Sequence, residues 1–314
     1  MRNKTIMIAL GGNSLSPKGS AGSVTEQFSL ARKTMNNLSE FIDLNYNICI
    51  THGNGPQVGD ELLRMDLTSE TVPPLPLGIC VANTQGQIGY MVQQTLQNEL
   101  REKSVDREVV TLVTQVIVDK NDQSINNPTK FIGPRYTKSE IEKFATKLGW
   151  SIKEQEPGSW RRVVPSPMPE FIMHGKSIKA LVDRGTIVIA FGGGGIPVFN
   201  NKDNKIEGLD AVIDKDFSAA KMGRIIRAQE LWIISDIDYL YRNFGKEDAS
   251  PIKQINSKEL NALYKKNTFQ EGTIKPKIKA ALHFLEHHGE KVVITSIDNI
   301  KKALKQKSGT IIRN

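Results

Sequence analysis

Cysteine is scarce in this 314-residue chain: Cys49 and Cys80 are the only two, they form no CxxC pair, and both lie in apolar surroundings. That excludes a disulfide framework and a cysteine zinc site, and it points to two reduced core thiols. Long hydrophobic runs are missing too. Nothing approaches the ~18 apolar residues of a membrane span, so no membrane partner is expected. The chain enters an apolar strand at once, with no charged leader ahead of it, and a cytoplasmic protein is expected. Aromatics make up only 6% of the sequence, and no long Lys/Arg block interleaves with them. The net charge of +8 therefore does not call for nucleic acid as a partner, because an anionic small substrate explains it as well. GxSxG, HExxH and any Cys–His cluster with metal spacing are absent, which argues against nucleophilic hydrolysis and structural zinc; no protein-held metal is expected.

What is present is glycine at the ends of apolar runs. Ile6 to Leu10 has no polar alternation, as in a strand buried on both faces, and it stops at Gly11-Gly12-Asn13. A helical period over Glu26 to Asn45 leads to a second strand, Asn47 to Thr51, followed by His52-Gly53-Asn54-Gly55-Pro56-Gln57-Val58-Gly59. Its GxGxxxG spacing is one residue off the dinucleotide fingerprint, and no acidic ribose partner follows, so phosphate or carboxylate is the better ligand. Thr186 to Ala190 is a strand that runs on to Gly192-Gly193-Gly194-Gly195, a costly run whose best reason is close backbone approach to a ligand. His52, beside a glycine turn, reads as a local hydrogen-bonding residue rather than a general base. Gly175-Lys176-Ser177 imitates a Walker A tail, but Glu170 occupies the earlier glycine position and no strand is expected to lead in.

Between these turns lie a loop at Pro73 to Pro76, a helix over Ala82 to Leu100 and one strand over Val109 to Val118. Asp119 to Tyr136 is polar and turn-rich and carries Lys130. A short helix over Ser139 to Leu148 and a hairpin within Trp150 to Val164 complete an excursion over about 120–167. Arg161 and Arg162 fall on opposite faces of a strand, so one can face an anion while the other pairs structurally; either fits, and Arg161 is taken as the candidate. Helices are expected over Ser177 to Arg184 and Ser218 to Ala228, with Asp214-Lys215-Asp216 at the entrance of the second, where carboxylates can hold a cation. Strands at Leu231 to Ser235, Val292 to Ser296 and Thr310 to Ile312 close the pattern, with a helix between Lys277 and His287. Repeated strand, glycine turn and helix units imply an α/β fold with a mainly parallel sheet whose ligands sit beyond the strands' carboxyl ends. Backbone amides with Lys130, Lys215 and Lys277 arriving from separate loops suit phosphoryl transfer, which needs positioning and positive charge more than covalent chemistry.

The set ALGGN, THGNGPQVG, NPTK, WRRVVPSP, GGGGIP, DAVIDKD and a final PK, in this order from Ala9 to Thr310, resembles the carbamate kinases of the amino-acid kinase family. The resemblance implies a three-layer α/β/α fold with a protruding lid subdomain, a homodimer, and reversible transfer between ATP and carbamate beside arginine breakdown, with Mg2+ arriving on the nucleotide. It implies an N-terminal lobe at 1–190 for carbamate and the phosphoryl group, containing the lid at about 120–167, and a nucleotide lobe at 191–314. By position, Gly11, Gly12, Asn13, Gly53, Asn54 and Gly55 would hold carbamate and the phosphoryl group. Lys130, Lys215 and Lys277 would neutralise phosphate charge, with Asp216 organising them and Asp214 as the lesser organiser. Gly194, Gly195, Asp214, Ser235, Asp236, Asn243, Phe244 and Gly245 would line the nucleotide pocket. Gln155 to Ser159, Phe131 and Thr273 to Lys275 depart from the family pattern. A nucleotide-binding homologue without turnover, and a kinase for another small acyl acceptor, are the alternatives.

Overall fold

The computed structural model describes residues 3–12, 22–269 and 274–314. Asn13 and residues 270–273 lie outside them, and with them one phosphoryl-site candidate and most of the segment before the final Pro-Lys.

The chain opens with β1 (Thr5–Leu10), α1 (Val24–Asp43), β2 (Asn47–His52), α2 (Gly55–Thr68), α3 (Leu77–Glu102) and β3 (Val109–Leu112). Then come β4 (Gln115–Val118), β5 (Lys130–Tyr136), α4 (Lys138–Leu148), β6 (Ile152–Glu156), β7 (Ser159–Val164) and β8 (Pro169–Ile172). Next are α5 (Gly175–Asp183), β9 (Ile187–Ala190), β10 (Ile196–Asn200), β11 (Ile206–Gly208), α6 (Lys215–Ile226) and β12 (Glu230–Ser235). The C-terminal part holds β13 (Leu240–Arg242), β14 (Ser250–Ile252), β15 (Gln254–Asn256), α7 (Ser257–Lys265), α8 (Ile274–Glu286), β16 (Lys291–Ser296), α9 (Ile300–Leu304) and β17 (Thr310–Arg313).

Eight strands form the central sheet in the order β15-β17-β16-β12-β1-β2-β9-β3. From β16 to β3 every neighbouring pair is parallel, and the two edge strands β17 and β15, parallel to each other, run antiparallel to the rest. The unbroken apolarity of β1 has a direct cause. Met7 and Ala9 enter a core shared with α5, α6 and α8, whereas Ile6, Ile8 and Leu10 enter a second core with α1, α3 and α9. Successive side chains point to opposite faces and both faces are covered, which is the expected three-layer arrangement.

Two boundaries are corrected. Val109 to Val118 is not one strand: β3 joins the central sheet, while β4 joins a four-stranded sheet, β11-β10-β4-β8. Thr114 makes the break, because its N–H donates to Gln85 Oε1 at 2.9 Å and its carbonyl accepts from Gln85 Nε2 at 3.2 Å. The buried amide thereby satisfies the Thr114 N–H in place of a ladder partner, while the Thr114 carbonyl also accepts from the Ile196 N–H at 2.9 Å. Residues 119–136 are not all loop either, since β5 pairs with β7 in a three-stranded antiparallel sheet, β5-β7-β6, that sits with α4 between β4 and β8. Phe131, in register with Val163, keeps a backbone N–H there that proline would remove. The sequence pattern also missed α2 and α7, and β8 does lead into Gly175-Lys176-Ser177, although Glu170 still denies it the Walker pattern.

Candidate active site

Four adjacent strands, β12, β1, β2 and β9, run parallel, so their carboxyl ends share one edge of the sheet. They end respectively at Ser235-Asp236, Gly11-Gly12, Gly53-Asn54 and the four-glycine run. The ladder persists into the turns: the Gly11 N–H donates to Ile234 O at 2.8 Å and the Gly53 N–H to Leu10 O at 2.9 Å. A Cβ on Gly53 would lie 2.8 Å from Gly12 N, so the first two turns are pressed together. Asn54 stands at the N-cap position of α2 with its side chain turned to α3, Nδ2 donating to Thr84 Oγ1 at 2.9 Å, and Gly55 opens α2 with its unpaired N–H groups at this edge.

The lysines meet beside these turns. Asp214 is the N-cap of α6, with Oδ1 accepting from the N–H of Asp216 and of Phe217, while Oδ2 accepts from Lys130 Nζ at 2.8 Å. Asp216, the second residue of α6, accepts from Lys215 Nζ at 2.5 Å and from Lys277 Nζ at 2.9 Å. Lys215, Asp216 and Lys277 are all buried. Three lysines from β5, α6 and α8 thus meet two carboxylates one residue apart in the α6 entrance. Asp216 accepts from two of them and Asp214 from the third, Lys130.

Burial strains each charge in this cluster. It opposes ionisation of Asp214 and Asp216, but the neighbouring lysines outweigh it and both carboxyls stay below the usual range. For Lys277, burial is again the largest single influence, yet Asp216 and Asp214 overcome it and its ammonium is held above the ordinary value. For Lys215, burial wins, helped by repulsion from Lys277, so its ammonium is the more easily deprotonated of the pair. Two lysines on one carboxylate leave a local excess of positive charge, which is what a transferring phosphoryl group requires.

The four-glycine run has an intramolecular cause. A Cβ on Gly192 would fall 2.3 Å from the His52 ring, one on Gly193 2.3 Å from Asn54 Nδ2, one on Gly194 2.5 Å from Ile213 O, and one on Gly195 2.2 Å from Val116 Cγ2. Gly193, Gly194 and Gly195 also have positive φ. The run is the point where β2, β4 and the α6 entrance pack on one another, and Ser218 Oγ donates to Gly194 O at 2.8 Å to fasten it to α6. His52 is sealed beneath it, and burial pushes its imidazole down to about 4, which suits the local hydrogen-bonding role: Nδ1 lies 3.1 Å from Gly53 O.

The remaining candidates are less concentrated. Ser235 Oγ donates to Asp236 Oδ1 at 3.0 Å, and Asp236 adds to the upward shift of Lys277, so both belong to the site edge. Asn243-Phe244-Gly245 follows β13, with Asn243 Nδ2 donating to Asp248 Oδ2 at 2.6 Å and Phe244 62% exposed against Tyr241. Phe244 therefore does not fill core. Both arginines of the WRR segment pair with protein. Arg161 donates to Gly133 O at 2.6 Å and to Gln155 Oε1 at 3.2 Å, whereas Arg162 donates to Asp66 Oδ2 at 3.0 Å and stacks on Trp150. Only Arg161 keeps a buried, unpartnered Nε. Sequence reasoning missed Asp66, which also accepts from Trp150 Nε1 at 2.9 Å; no motif surrounds it.

With this edge and its lysines in view, the class follows. The chain belongs to the amino acid kinase family, whose model matches residues 4–296. Within that family it is similar over its whole length to carbamate kinases. It is 42% identical over 309 residues to the carbamate kinase of Pyrococcus furiosus, covering 98% of both chains. The carbamate kinase of Giardia lamblia bound to citric acid superposes with a TM-score of 0.94 at 35% identity, covering 99% of this chain and 98% of that one. The same Giardia enzyme bound to AMP-PNP gives a TM-score of 0.89 at 35% identity, with 99% and 98% covered.

Proposed function

We propose that this protein is a carbamate kinase, catalysing reversible phosphoryl transfer between ATP and carbamate. In the ATP-forming direction carbamoyl phosphate and ADP give ATP and carbamate, which falls apart to ammonia and CO2. The observation that carries the reading is the cluster in which Lys215 and Lys277 share Asp216 while Lys130 is held by Asp214, beside the glycine turns of four adjacent strands.

Carbamate is already an anion. Its carboxylate oxygen attacks the terminal phosphorus in line, and the bond to the bridging oxygen of ADP breaks, with no proton to remove from the nucleophile. A general base is unnecessary, which agrees with a His52 that stays neutral. The obstacle is repulsion among anions. Amides at Gly11, Gly12, Gly53 and Gly55 would hold the acceptor and the moving group, and Lys215 and Lys277 would neutralise the charge spread over its oxygens. Lys130, carried on β5, would arrive from the acceptor side. Asp216 keeps the two buried ammonium groups in place.

The nucleotide would lie toward residues 191–314, against Gly194, Gly195, Ser235, Asp236 and the Asn243-Phe244-Gly245 turn; the AMP-PNP complex of the Giardia relative supports nucleotide binding here. Magnesium would come with it. Because Asp214 and Asp216 already accept from lysines, an ion held chiefly by phosphate oxygens fits this donor set better than one held by those carboxylates. The lobe at 1–190, with its lid at about 120–167, would take carbamate. A homodimer is part of the same reading, supported by the apolar surface where Val24 and Tyr90 stand 59% exposed beside Phe28. The place beside arginine breakdown rests on the resemblance.

The deciding experiment incubates purified protein with magnesium, ADP and carbamoyl phosphate and follows ATP. Formation at a rate comparable to a control carbamate kinase is expected. Tight AMP-PNP binding with no ATP formed would replace this reading by a nucleotide-binding homologue, and transfer to a different acceptor would replace carbamate.

A further inference from the structure

We propose that the carboxyl end of α8, together with the residue that follows it, binds one divalent transition-metal ion of the zinc class through His283, Glu286 and His287. These three side chains lie on one face of the helix end, each offering a ligand atom, and the atoms are all within 4.8 Å of one another. No other group of this kind occurs among the described residues. The four-residue spacing of the histidines brings their rings to 4.3 Å, centroid to centroid.

Both rings are already oriented. His287 Nδ1 stands 2.8 Å from His283 O, so the proton sits on Nδ1 and the Nε2 lone pair is left for a ligand. That is the arrangement by which a carbonyl fixes the tautomer of a metal-bound histidine. His283 rests on the Phe217 ring at 4.8 Å, which holds its plane. Two imidazoles and one carboxylate are the donor set of zinc and its neighbours rather than of magnesium or calcium, which prefer oxygen. The negative end of the helix dipole further favours a cation.

Lys221, Arg224 and Lys279 bear on His283 electrostatically and oppose a cation. Glu286 is the one anionic ligand of the three and counters part of that repulsion, so binding depends on Glu286 as well as on the imidazoles. Lys277 lies on the same helix, roughly 9 Å away along the axis at about 1.5 Å per residue. The site is therefore separate from the phosphoryl-transfer cluster, and its occupancy can be read without turnover.

The test uses chelator-treated full-length protein titrated calorimetrically with zinc chloride, with magnesium chloride as control. Uptake of one zinc per chain is expected, unaffected by magnesium, with at least tenfold weaker binding in both His287→Ala and Glu286→Gln. Circular dichroism confirms that each variant is folded. In the unaltered protein labelled with 15N-histidine, zinc should move the side-chain nitrogen resonances of His283 and His287 and leave buried His52 in place. Absence of zinc uptake, unchanged affinity in both variants, or movement of other histidines alone would overturn the proposal.

Discussion

Gly59 and Gly133 meet backbone to backbone: a Cβ on Gly59 would lie 2.0 Å from the Gly133 Cα. The contact joins α2, whose first residue borders the phosphoryl edge, to β5, whose first residue is Lys130. Around it Val58, Leu62, Ile132 and Val164 form a small core of their own with Leu77, Cys80, Val81 and Val212. At the far end of α2, Asp66 holds Trp150 and Arg162. The β5-β7-β6 sheet is thus fastened to α2 at both ends, and any movement of that sheet would carry α2 with it.

Gly59→Ala tests the contact. In an exposed helix this change would gain about 1 kcal/mol from propensity. Here the added methyl meets backbone that no rotamer can move, and overpacking costs about 1–3 kcal/mol. A lower urea midpoint and a higher KM for the acceptor are expected. A variant as stable as the unaltered protein would show that the two backbones separate freely.

Asp66→Ala should loosen the β5-β7-β6 sheet and α4 from α2 and leave nucleotide affinity largely unchanged. It leaves the Trp150 indole N–H and the Arg162 guanidinium without their partner, and stranding such groups costs about 1–3 kcal/mol when they are buried; Trp150 is buried and Arg162 only partly so. Faster proteolysis within residues 137–160 and a raised KM for carbamoyl phosphate should appear together, with AMP-PNP affinity within about twofold. Equal loss of nucleotide affinity would place Asp66 in general stability instead.

His52 gives a pH signature. Its folded-state pKa of about 4 lies below the ordinary 6.5. Between those values the unfolded chain takes up a proton that the folded chain refuses, so stability falls as pH drops through this window and is fully present above 6.5. The full effect is roughly 3 kcal/mol. Urea midpoints from pH 7 to 4.5 should fall more steeply for the unaltered protein than for His52→Gln, and equal slopes would contradict a neutral buried imidazole.

The sheet was legible because burial on both faces leaves an unbroken apolar run, and β1, β2, β9 and β12 each have one. The candidate site was legible where a glycine or lysine stood at a strand end or helix entrance. What was hidden has physical reasons. The corner at Thr114 depends on Gln85, distant in sequence, so β3 and β4 read as one strand. Lys130 lies in a β-strand that alternates poorly because Gly133 and Pro134 interrupt it. The four glycines were visible but their cause was not, since His52, Asn54, Ile213 and Val116 converge on them only in three dimensions. Asp66 is an ordinary helix acid in sequence and becomes a clasp only when Trp150 and Arg162 arrive.

The Asp216 cluster yields the sharpest functional expectation. Lys215→Ala should lower kcat at least 100-fold, the scale of losing one charged group that stabilises a transition state, while nucleotide affinity changes less than tenfold. Asp216→Asn should act differently, because both lysines remain but lose the carboxylate that holds their protons. Lys215 already sits below its ordinary value and Lys277 above it, and without Asp216 both move down. The alkaline limb of the kcat profile should therefore shift to lower pH in Asp216→Asn, with part of the lost activity recovered as pH is lowered. A limb that stays in place while kcat falls uniformly would mean that Asp216 positions the lysines without governing their charge.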